Sequence, residues 1–318
     1  MNEIENIRKI EREFLGDLDS KGKSFNTIKN YRTDLECFNE FLIKKQQNLG
    51  LSDFNLTKVM EYSHYLDNKY TSDNSRRRRV QALRLFFDYL VKKNFVGENP
   101  IRKIPVSPKF LDIPKPTSYG DLIKLVSHLR AMCTNDKEDN LEKLLALRNL
   151  LIVCLIYGAG LKVSEISELT RAQILSDKDG YRVLIQHPKR DSYSVPLPSF
   201  FQEYYNNYNR IIEKLDSNLA TEKFFFNANA YRILAEGISA RGVELIFKEL
   251  RKKCEIQLTP KSLRQSCIFR WLNQKVSPTT IKEWMGVTPG YSLKAYTDLL
   301  NQHPIEYAFD DIPSSLLQ

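Results

Sequence analysis

The sequence predicts a mostly helical protein in two parts: a helical bundle, then a mixed α+β domain, mainly helical with a small antiparallel sheet. Three observations predict it. Apolar residues recur every three or four positions through the first hundred residues, the mark of helices with one buried face. Five prolines then interrupt the chain between residues 99 and 116. Beyond them, one alternating stretch lies among further helical periods.

Ile10, Phe14 and Leu18 share the face of a first helix. Ile28, Tyr31, Leu35, Phe38 and Leu42 mark a second, with Ser24 or Asn26 placed to cap its start. Val59, Tyr62 and Leu66 mark a third, and Val80, Leu83, Phe87 and Leu90 a fourth that Gly97 and Pro100 are expected to end. NPIRKIPVSPKFLDIPKP holds no sustained period and suits an extended linker. The expected division is a helical domain over 1–104, a linker over 105–116 and a second domain over 117–318.

In that second domain, Leu141 to Tyr157 is apolar on several faces and reads as a buried helix. YRVLIQHPKRDSYSVPL reads as a hairpin in which Val183 and Ile185 pair with Tyr193 and Val195 across a polar turn. FFFNA near residue 224 is a candidate third strand. Val243–Leu250, Ser262–Leu272, Thr279–Met285 and Leu293–Leu300 read as helices.

Composition narrows the function. The chain has 318 residues, enough for two cores, and 42% hydrophobic against 27% charged residues excludes disorder as the default. A formal charge of +9 suggests an anionic partner, nucleic acid or an acidic membrane surface. About six of those nine charges fall before residue 117. No run of about twenty apolar residues is present. The opening MNEIENIRKIEREFLG lacks an apolar signal core, so a cytoplasmic location is expected. Cys37, Cys133, Cys154, Cys254 and Cys267 are scattered, form no C-x-x-C pair and stand beside only four histidines. Buried, reduced thiols are expected, with no metal site.

Two cationic features stand out. SRRRRVQAL places Arg76, Arg77, Arg78 and Arg79 at the start of the fourth helix, with Arg84 further on. Successive helical residues turn by about 100°, so the four cannot share a face. The cluster suits phosphate-backbone binding, or it is a solvated face. YGAGLKVSEISEL puts Lys162 just past a glycine turn, where it either enters a cleft or decorates a surface.

The order GAGLKVSEI, a hairpin with Lys189 near its turn, TPKSLRQSCIFRWL and EWMGVTPGYSLKAYTDL resembles the tyrosine recombinase (phage integrase) family, especially its Xer-like branch. The likeness extends into the first domain through NTIKNYRTDLECFNEFL, RRVQALRLFFDYL and ENP. It implies a SAM-like, DNA-clamping bundle followed by a catalytic domain, with double-stranded DNA as partner. It also implies a homo- or hetero-tetramer on two DNA sites, with neither metal nor other cofactor. Tyr296 then matches the nucleophile that forms a 3′-phosphotyrosine, Arg264 the arginine of the second box, and Glu165 the acid that steadies the first. Lys189 matches the hairpin lysine that protonates the leaving oxygen, although an ungapped match puts Pro188 there, leaving Lys189 or Arg190.

The chemistry explains these residue types: charge builds on the phosphate oxygens in the transition state, so cations must already surround them. This chain departs from the family pattern at four places. Lys162 stands for an arginine, Lys261 for a histidine, Gln265 for the last residue of the second box, and Val287 for a histidine or tryptophan donor. Lysine keeps the charge but loses bidentate orientation. Two readings follow, a site-specific recombinase and a DNA-binding relative that hardly cuts. A membrane-surface or protein-binding helical module is a third, opposed by the lack of a basic amphipathic helix with a clean apolar face. The tail NQHPIEYAFDDIPSSLLQ carries Ile305, Tyr307, Phe309, Ile312, Leu316 and Leu317, to dock on a neighbouring protomer or on its own domain.

Overall fold

The computed structural model describes residues 3–44, 50–51, 54–103, 113–134, 140–178, 180–187, 190–215, 222–228 and 233–313. The chain divides into two compact units, Met1–Phe110 and Leu111–Gln318.

Among the described residues, the first unit holds the helices α1 (Glu3–Ser20), α2 (Phe25–Lys44), α3 (Leu56–Lys69) and α4 (Asp73–Lys92), then a 3₁₀ turn over Pro100–Lys103. The expected stripes meet in one core: Ile10, Phe14 and Leu18 face Leu35, Phe38 and Leu42, with Val59, Tyr62, Leu66, Leu83, Phe87 and Leu90. Ile28, Tyr31 and Val80 pack at its rim. Phe38 meets Phe54 and Tyr62 edge-on at 5.0 and 5.5 Å, the arrangement that ring quadrupoles favour. Ser24 is the cap of α2, its Oγ accepting from Thr27 N at 3.3 Å. The end of α4 differs from expectation. Asn94 takes the left-handed conformation at φ 58° and Phe95 N closes on Leu90 O, so the helix stops before Gly97. Asparagine tolerates that region better than other side chains do.

In the second unit, α5 (Tyr119–Thr134), α6 (Asn140–Ala159) and α7 (Val163–Glu168) precede the strands β1 (Ile174–Asp177), β2 (Gly180–His187) and β3 (Arg190–Pro196). After α8 (Ser199–Leu215) come β4 (Phe226–Ala228) and β5 (Ile233–Gly237). The helices α9 (Ala240–Cys254), α10 (Pro260–Asn273), α11 (Pro278–Trp284) and α12 (Lys294–Gln302) complete it. α6 is the spine: every side chain from Leu150 to Tyr157 is sealed from solvent, and α5, α8 and α10 pack around it.

The expected hairpin is present: β2 pairs antiparallel with β3, with Val183 opposite Val195 and Ile185 opposite Tyr193. β1, which the sequence reading did not assign, completes a sheet of order β1-β2-β3. The strand expected near residue 224 exists, but it pairs with β5 in a separate two-stranded sheet. α5 and α8 also went unassigned, although Phe200, Phe201, Tyr204, Tyr208 and Ile212 give α8 one buried face. Cys37, Cys154, Cys254 and Cys267 are buried free thiols, and Cys133 is half-buried.

Two segments without regular structure are held by α10. At the end of the proline-rich stretch, Lys115 N donates to Gln265 Oε1 at 3.0 Å and Ser266 Oγ donates to Thr117 O at 2.8 Å. The tail folds back onto its own unit: Tyr307 stacks on Phe269 at 4.6 Å, and Phe309 and Ile312 are buried. Arg270 pairs with Asp311, and Tyr119 Oη donates to the Asp311 carbonyl at 2.8 Å. Ile305 stays exposed, while Leu316 and Leu317 lie outside the described residues.

Candidate active site

The end of α6 sets the site. Gly160 adopts φ 64°, and a Cβ there would stand 2.9 Å from Trp271 Cη2, so both backbone and space call for glycine. The chain then enters α7 through Lys162, whose backbone N–H is accepted by Glu165 Oε2 at 2.8 Å. Lys162 Nζ reaches the other oxygen of the same carboxylate at 2.6 Å. Glu165 is nearly sealed, its side chain 8% exposed. Burial pushes its carboxyl up, but the two bonds from Lys162 and the charges of Lys162 and Arg264 outweigh that and hold it below the usual range.

Arg264, on α10, spends its guanidinium on the frame. Nη1 donates to Gly160 O and Nη2 to Met285 O (3.0 Å for the latter), while Nη1 lies 3.7 Å from Glu165 Oε2. It thereby ties the glycine turn, the end of α11 and the first-box carboxylate together. α10 begins well defined, with Thr259 Oγ1 accepting from Ser262 N at 3.0 Å and proline in the first turn.

Lys162, Lys261 and Arg264 line one cavity of about 670 Å³. Its opposite wall is α9, through Arg241, Glu244, Leu245, Lys248 and Arg251. Six cationic side chains thus share walls with one carboxylate, Glu244, and the positive end of α10 opens there too. Such a concavity suits a phosphate. The cations of α9 went unread in the sequence, although Arg241, Lys248 and Arg251 sit seven and three residues apart, on one helical face.

Tyr296 is absent from the walls of that cavity. It sits on α12, 6% exposed, with its ring 5.3 Å from Phe269. Burial and the neighbouring Tyr291 push its phenol well above the ordinary value, and a hydrogen bond with Gln265 and the charge of Arg264 partly offset this. Gln265 therefore has two roles that the sequence did not disclose, holding Lys115 N and meeting the Tyr296 hydroxyl. Val287 packs against the core and donates its backbone N–H to Lys282 O at 3.1 Å. Lys189 and Pro188 lie outside the described residues, between the ends of β2 and β3. Tyr193 was also missed as a site residue: its hydroxyl donates to Glu165 Oε1 at 3.0 Å.

The arginine run is largely occupied within the first unit. Arg76 pairs with Asp67 and Asp73, and Arg78 with Asp34 at 2.9 Å. Arg79 is 8% exposed, stacks 3.7 Å over the Tyr70 ring and donates to Ser75 O at 2.8 Å. This buried side chain supports the bundle instead of standing on its surface. Arg84 donates to Ile101 O at 3.3 Å. Arg77 forms no ion pair among the described residues.

Residues 127–303 match the family model described as the phage integrase family, and residues 12–94 match its N-terminal SAM-like domain. The chain belongs to the phage integrase family. Among curated members of this tyrosine recombinase family, it is 26% identical over 308 residues to tyrosine recombinase XerC of Staphylococcus aureus strain MRSA252, covering 95% of this chain and 94% of the relative. XerH recombinase bound to palindromic difH superposes with a TM-score of 0.70 at 16% identity, over 91% of this chain and 80% of that one. A lambda integrase dimer bound to a COC′ core site gives 0.64 at 13%, over 91% and 94%. The Tn1549 transposon integrase with circular intermediate DNA gives 0.63 at 15%, over 92% and 98%. At these identities the phage integrase structures speak for the fold.

Proposed function

We propose that the protein carries out site-specific DNA recombination, cutting and rejoining strands through a covalent link to Tyr296. The observation that carries this reading is the gathering of Lys162, Lys261 and Arg264 around one cavity, with Tyr296 within the electrostatic reach of Arg264. It is supported by family membership across both domains.

In the proposed reaction, the Tyr296 oxygen attacks the scissile phosphorus and forms a phosphotyrosine as the bond to the 5′-oxygen breaks. The phenolic proton passes to a base, for which Lys261, exposed at the start of α10 and lining the cationic cavity, is the candidate. The leaving 5′-oxygen takes a proton from Lys189 or Arg190 of the hairpin. Lys162 and the cations around it balance the charge that grows on the non-bridging oxygens. Rejoining is the same sequence reversed. A buried nucleophile implies that α12 shifts to present Tyr296 once DNA occupies the cavity.

The first unit clamps the duplex, with Arg77 on a phosphate, while Arg76, Arg78 and Arg84 reach the backbone only by giving up the partners that hold them within the bundle. Full exchange breaks four strands, so four active sites on two duplexes are required, as a homo-tetramer or with a related partner.

Selection from a random duplex library supplies a bound site. Nicking that site next to the scissile position then lets the severed end diffuse away. Wild-type protein is expected to accumulate a covalent adduct and Tyr296→Phe none. Tight binding without any adduct would replace this reading by one of DNA binding alone.

A further inference from the structure

We infer that Gln265 is a latch that keeps Tyr296 in its withdrawn position, and that the main chain at Lys115, where the proline-rich stretch ends, sets the latch. The inference rests on the strand-transfer reading above and adds a control over when the nucleophile is presented. α10 has two adjoining faces. Lys261 and Arg264, three residues apart, line the cationic cavity. Ser262, Gln265, Ser266 and Phe269, at spacings of three and four, share the face beside it. The end of the proline-rich stretch is stitched to that second face. Thr117 N donates to Ser262 O at 3.3 Å, and the Thr117 and Ser262 hydroxyls meet at 2.6 Å. Ser266 Oγ donates to Thr117 O at 2.8 Å, and Lys115 N donates to Gln265 Oε1 at 3.0 Å. One turn further along, Phe269 carries the Tyr296 ring at 5.3 Å. The nucleophile thus lies against the face of α10 that grips the linker.

Gln265, 8% exposed, joins the two. A primary amide has an acceptor at one end and donors at the other, and its partners decide which way it faces. Lys115 N–H requires the acceptor, so Oε1 turns to the linker and the NH₂ group turns to Tyr296. A hydrogen bond between Gln265 and the Tyr296 hydroxyl completes the bridge. The Tyr291 hydroxyl, from the turn before α12, also bonds to that phenol. In this arrangement Tyr296 is 6% exposed and stands off the cavity walls. To reach a phosphate it must leave Gln265. The bond therefore resists the shift of α12, and its hold depends on Lys115 N fixing the amide. Once the linker end lifts from α10, the amide can rotate and the hold weakens. A neutral hydrogen bond of ordinary strength biases such a two-state equilibrium about three- to tenfold.

The test reads Tyr296 in the full chain, with and without DNA. Tetranitromethane nitrates exposed tyrosines, and mass spectrometry of the digested protein locates the modification at Tyr296. Gln265→Met keeps the length of the side chain and removes both hydrogen bonds. It is expected to raise the nitration rate of Tyr296 about fivefold, while the sealed Tyr157 stays protected. On the nicked duplex the same variant is expected to raise single-turnover cleavage about threefold, with DNA affinity within about twofold. Lys115→Pro deletes the linker N–H at a site already between Pro114 and Pro116. It is expected to raise nitration by a smaller factor, and to add nothing to Gln265→Met. Lys115→Ala keeps the N–H and should nitrate as the wild type does. Unchanged nitration in Gln265→Met would overturn the inference, because Gln265 would then hold nothing. Slower cleavage with affinity intact would also overturn it, because Gln265 would then serve the chemistry itself. Should the wild type form no covalent adduct, the strand-transfer reading fails, and nitration decides the latch separately. Should Gln265→Met fold poorly, seen as nitration of Tyr157, Lys115→Pro decides: a wild-type rate at Tyr296 there removes the latch.

Discussion

Glu11, on α1, is a carboxyl group that burial pushes well above the ordinary range. Burial, with a smaller push from Glu36, raises it from 4.5 to about 7 against the opposing Asn39 hydrogen bond and the charges of Arg8 and Arg12. Asn39 Nδ2 donates to Oε2 at 2.8 Å, and Oε1 has no partner among the described residues. A folded value above the unfolded one means that the stabilisation is complete below pH 4.5 and lost as pH rises towards 7. Glu11→Gln keeps the Asn39 contact and removes the ionisation, so at pH 8 it is expected to stabilise the first unit by roughly 1–3 kcal/mol. Urea denaturation at pH 8 and pH 4 checks this: a gain at both pH values alike would contradict the ionisation argument. Glu165 has the opposite sign. Its lowered value adds stability above the ordinary carboxylate range, lost as pH falls through the folded value. At this scale the sequence was partly legible. Lys162 was visible beside the glycine turn, and Glu165 was singled out only by the resemblance of the first box. The Tyr193–Glu165 bond joins residues 28 apart, and no spacing rule reaches that far.

Among elements, those with strong apolar periodicity were read and those with weak or composite patterns were not. The β2–β3 hairpin followed from alternation, and its register holds because a slip by one residue would turn Val183 or Val195 out of the core. β1 has four residues, ILSD, too few to show a period, and exists because β2 offers it an edge. α8 was legible yet unread: two adjacent phenylalanines obscured a stripe that repeats at four-residue steps. The tail was ambiguous in principle, because apolar content states that a segment docks and not where. Its answer lies in α10, whose Phe269 receives Tyr307 and Phe309 at 4.6 and 5.9 Å. Phe309→Ala is expected to destabilise the second unit by about 3 kcal/mol, as for other buried aromatic truncations. Thermal unfolding followed by near-ultraviolet circular dichroism measures it. A change below about 0.5 kcal/mol would mean that the tail is not held in this way.

For the whole molecule, charge divides into framework and contact. The +9 balance predicts salt-sensitive DNA binding, but the arginine run does not contribute evenly. Arg77→Ala is expected to lower the slope of log affinity against log salt by about one, the signature of one lost phosphate contact. Arg79→Ala is expected to leave that slope unchanged and instead weaken the bundle, because its guanidinium is already stacked on Tyr70. Fluorescence anisotropy on a labelled duplex across a salt series separates the two, and equal slopes for wild type and Arg77→Ala would remove Arg77 from the interface.

The central claim is that Tyr296 becomes joined to DNA inside a cationic pocket. Its most direct measurement is mass spectrometry of the trapped adduct after nuclease and protease digestion. The account predicts a nucleotide attached through its 3′-phosphate to the peptide that contains Tyr296. A nucleotide on a peptide bearing any other tyrosine or a serine would contradict it.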